Sequence, residues 1–197
     1  AVKVPNVLAF NRRFAPLNNT FKALVDELPD VIYVEGQFFR HARAEPEFMI
    51  GTGIHWINFI EYVCGEIREA EPARVPGKDL AATDRIAQLL FGDGTPGQLQ
   101  VLPCTGSNVE RLIVHGTRRT LYLHGPLWDQ PGRIVVHDQG HETVIDPEAR
   151  IPLPEIVRLG IVGEYIEFFT KACTGQATRS NFQNAVNSMR VAEAMAA

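Results

Sequence analysis

RLIVHGTRRTLYLH, residues 111–124, decides the fold class. Apolar and β-branched residues fill the two flanks, Arg111–His115 and Thr120–His124, around the polar turn GTRR. That is the pattern of a β-hairpin. It recurs on both sides. Arg85–Phe91 and Gln98–Cys104 flank the turn-rich GDGTPG, and Arg133–His137 and Glu142–Ile145 flank DQGH. Three successive hairpins predict a largely antiparallel sheet.

Working outward, Val2–Phe10 reads as a strand and Ala15–Leu28 as a helix, with Leu17, Phe21, Leu24, Val25 and Leu28 at helical spacing. Val31–His41 alternates through Tyr33, Glu35, Gln37 and Phe39, which predicts a long strand. The polar HARAEPEF is a loop. Phe48–Cys64 is a second helix, with Gly65 where a terminating glycine belongs, and Ile67–Val75 is a strand. The end is helical: Gly160–Cys173 carries Ile161, Tyr165, Phe168 and Phe169 on one stripe, and Ser180 is placed to cap a last helix through Met195. No repeat or internal linker interrupts the chain, so residues 1–197 are expected to form a single domain. The fold class is α+β: a large, mostly antiparallel (mixed) open sheet with helices packed on one face. Ile113, Leu121, Leu123, Ile134 and Val136 form a surplus of strand hydrophobes, which predicts that a second copy of the chain covers the other face.

Composition excludes several functions. The net charge of -4 gives no general attraction for phosphate backbones, so no nucleic acid partner is expected. No apolar run approaches the roughly 20 residues of a membrane span, and AVKVPNVLAFNRRF has no apolar core followed by a cleavage site. Cys64, Cys104 and Cys173 match no metal-ligand spacing and read as buried structural thiols in a reducing, cytoplasmic compartment.

Chemistry concentrates in GTGIHWIN, residues 51–58. Two glycines at a helix start cost roughly 1 kcal/mol each relative to alanine. Such a start is either tightly packed or lines a pocket. His55 lies off the apolar face of Ile50, Ile54, Ile57 and Cys64. Its imidazole suits general acid/base work or a hydrogen bond to a substrate hydroxyl; packing against a neighbouring element is the alternative. His137 and His141 lack a third ligand, so no metal is expected. His115 and His124 read as structural or surface residues. Arg118 and Arg119 read as a solvated turn, and Glu61, Glu66, Glu69 and Glu71 as a wet face.

The stretch 51–58 resembles the D-x-G-x-H-x-x-D motif of the glucose-fructose oxidoreductase / inositol dehydrogenase / MocA-like family. VLAFNRRFAP at 7–16, LIVHGTRRTL at 112–121, GEYIEFF at 163–169 and QNAVNSMRVAE at 183–193 resemble further family segments in the same order. The resemblance implies the family's C-terminal α/β domain, for substrate binding and assembly, with an N-terminal Rossmann domain for NAD or NADP absent from this chain. His55 matches the family histidine and is the expected catalytic residue. Asn11, Arg12 and Arg13 match a strand end near the site; Asn11, Arg13, Gly51 and Asn58 are the expected substrate contacts.

The departures are specific. The family's two aspartates fall on Gly51 and Asn58, and its hairpin glycine on Arg119. There is no G-x-G-x-x-G after a strand and no E-K-P; Gly92–Gly97 is a hairpin turn. The chain alone is therefore expected to bind no cofactor and not to be active. The implied function is the substrate-binding and oligomerisation domain of an NAD(P)-dependent oxidoreductase acting on a sugar, polyol or similar secondary alcohol, as a homodimer or homotetramer through the open sheet face. A standalone, non-catalytic oligomeric module is the alternative.

Overall fold

The computed structural model of the chain describes residues 5–43, 45–73 and 84–196. A 3-10 turn, Asn11–Phe14, leads into helix α1 (Pro16–Asp26) and strand β1 (Tyr33–Phe39). A π turn, Met49–Gly53, opens helix α2 (Ile54–Cys64). Seven strands follow: β2 (Ile67–Pro72), β3 (Arg85–Phe91), β4 (Pro96–Leu102), β5 (Val109–His115), β6 (Arg119–His124), β7 (Arg133–Asp138) and β8 (His141–Ile145). The short α3 (Glu155–Arg158), then α4 (Ile161–Thr174) and α5 (Phe182–Ala196) complete the chain.

Among the described residues, eight strands form one sheet in the order β2-β3-β4-β1-β5-β6-β7-β8. Among these strands, only β1–β4 is a parallel pair, with Gly36 beside Leu99. The other pairs are antiparallel, including the three hairpins expected from the sequence. The fold is α+β, with a mixed open sheet.

One face of the sheet is covered by helices: α5 over β2 and β3, α2 over β1, and α1 over β6 and β7. The core lies in that layer. Trp56, Phe59 and Ile60 of α2 are fully buried, and Trp56 stacks on Phe38 of β1 with ring centroids 6.0 Å apart. Gly36 makes this seat possible, since a Cβ there would sit 2.7 Å from the Ile60 Cδ1. Gly65 ends α2 at φ +96°, a conformation in which side chains other than hydrogen are strained.

Several expectations change. Residues 5–10 form no strand, and residues 1–4 lie outside the described residues. The segment spends its backbone groups on the α4–α5 connection instead: the Leu8 N–H donates to Ser180 O at 2.7 Å, and Ser180 Oγ donates to Leu8 O at 2.7 Å. That occupation also removes Ser180 as a helix cap. Asn181 serves in its place, its Oδ1 accepting the Gln183 and Asn184 N–H groups. The presumed surplus of strand hydrophobes shrinks as well. Leu121, Leu123, Ile134 and Val136 share the core side with Leu112 and Val114, and only Ile113 faces the uncovered side. Cys104 and Cys173 are exposed rather than buried, and all three thiols are free. Burial pushes the Cys64 thiol up to about 12. Glu61 is not on a wet face: its carboxylate accepts from Ser188 Oγ at 2.5 Å, from the Asn187 amide and from the Ile67 N–H.

Trp56 is the largest of the fully buried side chains. Trp56→Ala is expected to lower unfolding free energy by about 3–5 kcal/mol. The check is a urea titration, in which the midpoint falls while the slope holds.

Candidate functional site

A cavity of about 650 Å³ opens between the start of α2, the 3-10 turn, the end of β1 and the start of α4. Its wall includes Asn11, Arg12, Arg40, Gly51, His55 and Glu164, with Trp128 from the β6–β7 connection at the rim.

The floor of this wall is ionic. Glu110 of β5 is buried, and Arg12 grips its carboxylate with two hydrogen bonds, Nε at 2.9 Å and Nη2 at 2.5 Å. Arg40 Nη2 bonds the same carboxylate. Burial alone would raise the Glu110 pKa, but the two guanidiniums outweigh it and hold the group below the usual carboxylate range. Arg40 also lies 3.8 Å over the Phe38 ring, which fixes its plane.

The two glycines of the π turn resolve into different uses. A Cβ on Gly53 would meet Met49 Sδ at 2.5 Å, so that glycine permits close packing. Gly51 lines the cavity, and a Cβ there would meet nothing within 4 Å. His55 follows one turn later, with Phe10 edge-on to its ring at 5.3 Å. Burial, reinforced by the nearby Arg12 charge, lowers its pKa to about 4. The imidazole is neutral at pH 7, and its buried Nδ1 has no hydrogen-bond partner.

The opposite wall is held by another close approach. Gly160 has φ +84°, and a Cβ on it would lie 2.2 Å from Asn11 O. Asn11 Nδ2 donates to Leu159 O at 2.7 Å. Together these clamp the start of α4 onto the 3-10 turn. The clamp places Glu164 in the cavity wall with only 9% of its surface exposed. Burial pushes its carboxyl up to about 7.

Asn11, Gly51 and His55 thus share one cavity. Arg13 and Asn58, expected to bind substrate, do not line it. Arg13 Nε donates to Asn58 Oδ1 at 2.6 Å, and Asn58 Nδ2 donates to Ser188 Oγ at 2.9 Å. Both are buried and tie the 3-10 turn, α2 and α5 together behind the wall. Glu110 and Glu164 were missed. Arg12 and Glu110 are 98 residues apart, a pairing that no local pattern announces. Glu164 sat unremarked within the GEYIEFF segment.

His41 also lines the cavity; His115 lies elsewhere against Glu35 at 3.0 Å, and His137 against Glu142 at 3.3 Å. Among the described residues, no three His, Cys, Asp or Glu side chains are grouped to hold a metal ion. No helix among them is long and apolar enough to cross a membrane. The glycine-dense stretch among the described residues does not fit a dinucleotide. Gly92–Gly97 spans the β3–β4 turn, where Asp93 Oδ1 takes the Thr95 N–H and a Cβ on Gly97 would strike Val34 O at 2.6 Å. No helix follows to receive a pyrophosphate.

The two shifted groups give opposite pH signatures. Folding depresses the His55 pKa, so its contribution is complete above about 6.5 and is lost as pH falls toward 4. Folding raises the Glu164 pKa, so its contribution is complete below about 4.5 and is lost as pH rises through 7. Relative to wild type, His55→Gln is expected to gain stability as pH falls from 6.5 to 4, and Glu164→Gln to gain it as pH rises from 4.5 to 7. Urea unfolding of the three proteins across that range checks both signs.

No family model and no curated protein matches the chain. Solved structures do. A dehydrogenase (MviM) from Clostridium difficile superposes with TM-score 0.74 at 14% identity, over 95% of this chain and 60% of its own. Levoglucosan dehydrogenase, in complex with NADH and levoglucosan, gives 0.75 at 14%, over 95% and 62%. UDP-N-acetylglucosamine 3-dehydrogenase GnnA from Acidithiobacillus ferrooxidans gives 0.74 at 12%, over 96% and 60%. The chain spans about 60% of the length of these enzymes. In fold, it matches the C-terminal domain of dehydrogenases of the glucose-fructose oxidoreductase / inositol dehydrogenase / MocA type.

Proposed function

We propose that this chain is a single domain forming the substrate-binding side and assembly surface of an NAD(P)-dependent oxidoreductase that acts on a sugar, polyol or similar secondary alcohol. The observation that carries this reading is the neutral imidazole of His55 in the wall of a cavity of about 650 Å³. A neutral imidazole accepts a hydrogen bond from a hydroxyl and takes its proton as the carbonyl forms. Asn11 Nδ2 is engaged by Leu159, which leaves its Oδ1 as an acceptor for ligand. Gly51 leaves open space beside them. The structurally similar levoglucosan dehydrogenase binds NADH and a sugar derivative, which supports the substrate class. The hydride acceptor, NAD or NADP, is assigned to a nucleotide-binding half, because these residues form no cradle for it.

Self-association belongs to the uncovered sheet face. Ile113, Tyr122, Val135 and Val144 stand side by side across β5–β8, away from the helices. This row supports a homodimer or homotetramer through that face. Three free thiols fit the reducing cytoplasm.

The 197-residue chain is expected to bind neutral polyols and to give no saturable NADH fluorescence response; tight NADH binding by the chain itself overturns the division of labour. In the complete enzyme that this reading requires, His55→Gln is expected to lower kcat by about 10²–10⁴-fold with its unfolding midpoint at pH 7.5 held. Retained kcat with lost stability makes His55 a packing residue. Polyol binding without turnover in any native assembly favours the non-catalytic module.

A further inference from the structure

Glu164 has no hydrogen-bond or ion-pair partner for its carboxyl among the described residues, although only 9% of its surface is exposed. Every other strongly buried charge in this wall is paired: Glu110 with Arg12 and Arg40, and both guanidiniums with Glu110. An unpaired carboxyl in such a place is unfavourable, and burial has already pushed its pKa up to about 7. The fold nevertheless enforces the position. Gly160 and Gly163 both bring α4 against the 3-10 turn; a Cβ on Gly163 would lie 3.1 Å from Phe14 O. With the Asn11–Leu159 hydrogen bond, these contacts leave the first turn of α4 little freedom to swing Glu164 into solvent. The carboxyl is therefore held at the cavity, short of partners, on a rigid mount.

We propose that Glu164 is a ligand-recognition carboxyl that accepts hydrogen bonds from adjacent hydroxyls of a neutral polyhydroxylated molecule in the His55 cavity. This rests on the polyol reading above and narrows it. The charges around the cavity select for neutrality. Glu164 disfavours an anionic ligand, and Glu110 engages both Arg12 and Arg40 and offsets one of their two charges. The same two guanidiniums disfavour an ammonium group. Neutral hydroxyls satisfy the carboxyl without meeting a like charge. Glu164 is expected to cost stability in the empty site, since a group that helps only when ligand is present weakens the empty fold.

The test uses the 197-residue chain as wild type, Glu164→Gln and Glu164→Asp, with levoglucosan, myo-inositol and the dianion L-tartrate as probes. Binding is followed by NMR titration and folding by thermal melts at pH 8. Glu164→Gln is expected to raise Tm by about 2–4 °C and to weaken levoglucosan or myo-inositol binding about tenfold. Glu164→Asp, which keeps the charge but withdraws it by a methylene, is expected to weaken binding without the rise in Tm. Equal polyol binding by wild type and both variants overturns the role of Glu164 and leaves the polyol reading standing. Wild-type preference for L-tartrate over the neutral probes overturns the proposal and assigns recognition to the arginines. No binding of either neutral probe to wild type overturns the proposal and the polyol reading together.

Discussion

The ion triad of Arg12, Glu110 and Arg40 is the constraint on which the rest of the site depends. It joins the 3-10 turn, the middle of the sheet and the end of β1 through a single buried carboxylate. The β6–β7 connection is seated on it as well: the Gly125 N–H donates to Glu110 O at 2.7 Å, and a Cβ on Gly125 would come within 3.0 Å of the Glu110 Cβ. Ion pairs of this kind add little net stability, because desolvation consumes most of the attraction. Their effect is on specification. Removing one partner leaves the others charged and buried, typically a loss of about 3–5 kcal/mol. The three segments are thereby held to one mutual arrangement, and the cavity exists where they meet.

Burial, aided at His55 by the triad's Arg12, sets the chemistry of the neighbouring groups. His55 loses its proton chiefly through burial, and the Arg12 charge adds to that loss. Glu164 shares the cavity but meets burial without any compensating cation, so it holds its proton toward neutral pH. One cavity thus produces an unprotonated imidazole and a reluctant carboxylate from the same dehydration. The difference lies in the sign of each charged form, not in separate environments. Groups whose pKa values are pushed in opposite directions within one cleft are the usual mark of a functional site.

What was legible in the sequence was local. The hairpins were readable because strand alternation and turn chemistry are encoded within about 14 residues, as in 111–124. Helix α2 and its terminating Gly65 were readable for the same reason, and the family resemblance led to His55. The expected strand Val2–Phe10 misled over its described residues, because β-branched and aromatic composition cannot say whether the backbone pairs with a strand or with the loop at Ser180. The outward row of the sheet was misassigned because Leu121 and Leu123 can face either side until register is fixed. Arg13 and Asn58 carried a motif's residue types, but only the fold shows that they satisfy each other behind the wall.

The cavity draws its polar groups from seven separate places: the 3-10 turn, α1, the end of β1, the π turn with α2, β5, the β6–β7 connection and α4. Sheet register fixes only β1 and β5. The β6–β7 connection and α4 reach the site through close backbone approaches that depend on glycine, at Gly125 and Gly160. Such joints tolerate almost no side chain at the glycine itself, yet they leave the adjacent polar residue unconstrained by core packing. Gly51 illustrates the other half of this arrangement, a wall position with open space where a larger side chain would fit. A fold built this way can change the ligand it selects by exchanging residues such as Gly51 and Glu164 while the triad and the glycine joints stay fixed. On the proposed reading, substrate class is encoded in a few wall positions, and a likeness in fold at 12–15% identity carries the architecture without carrying them.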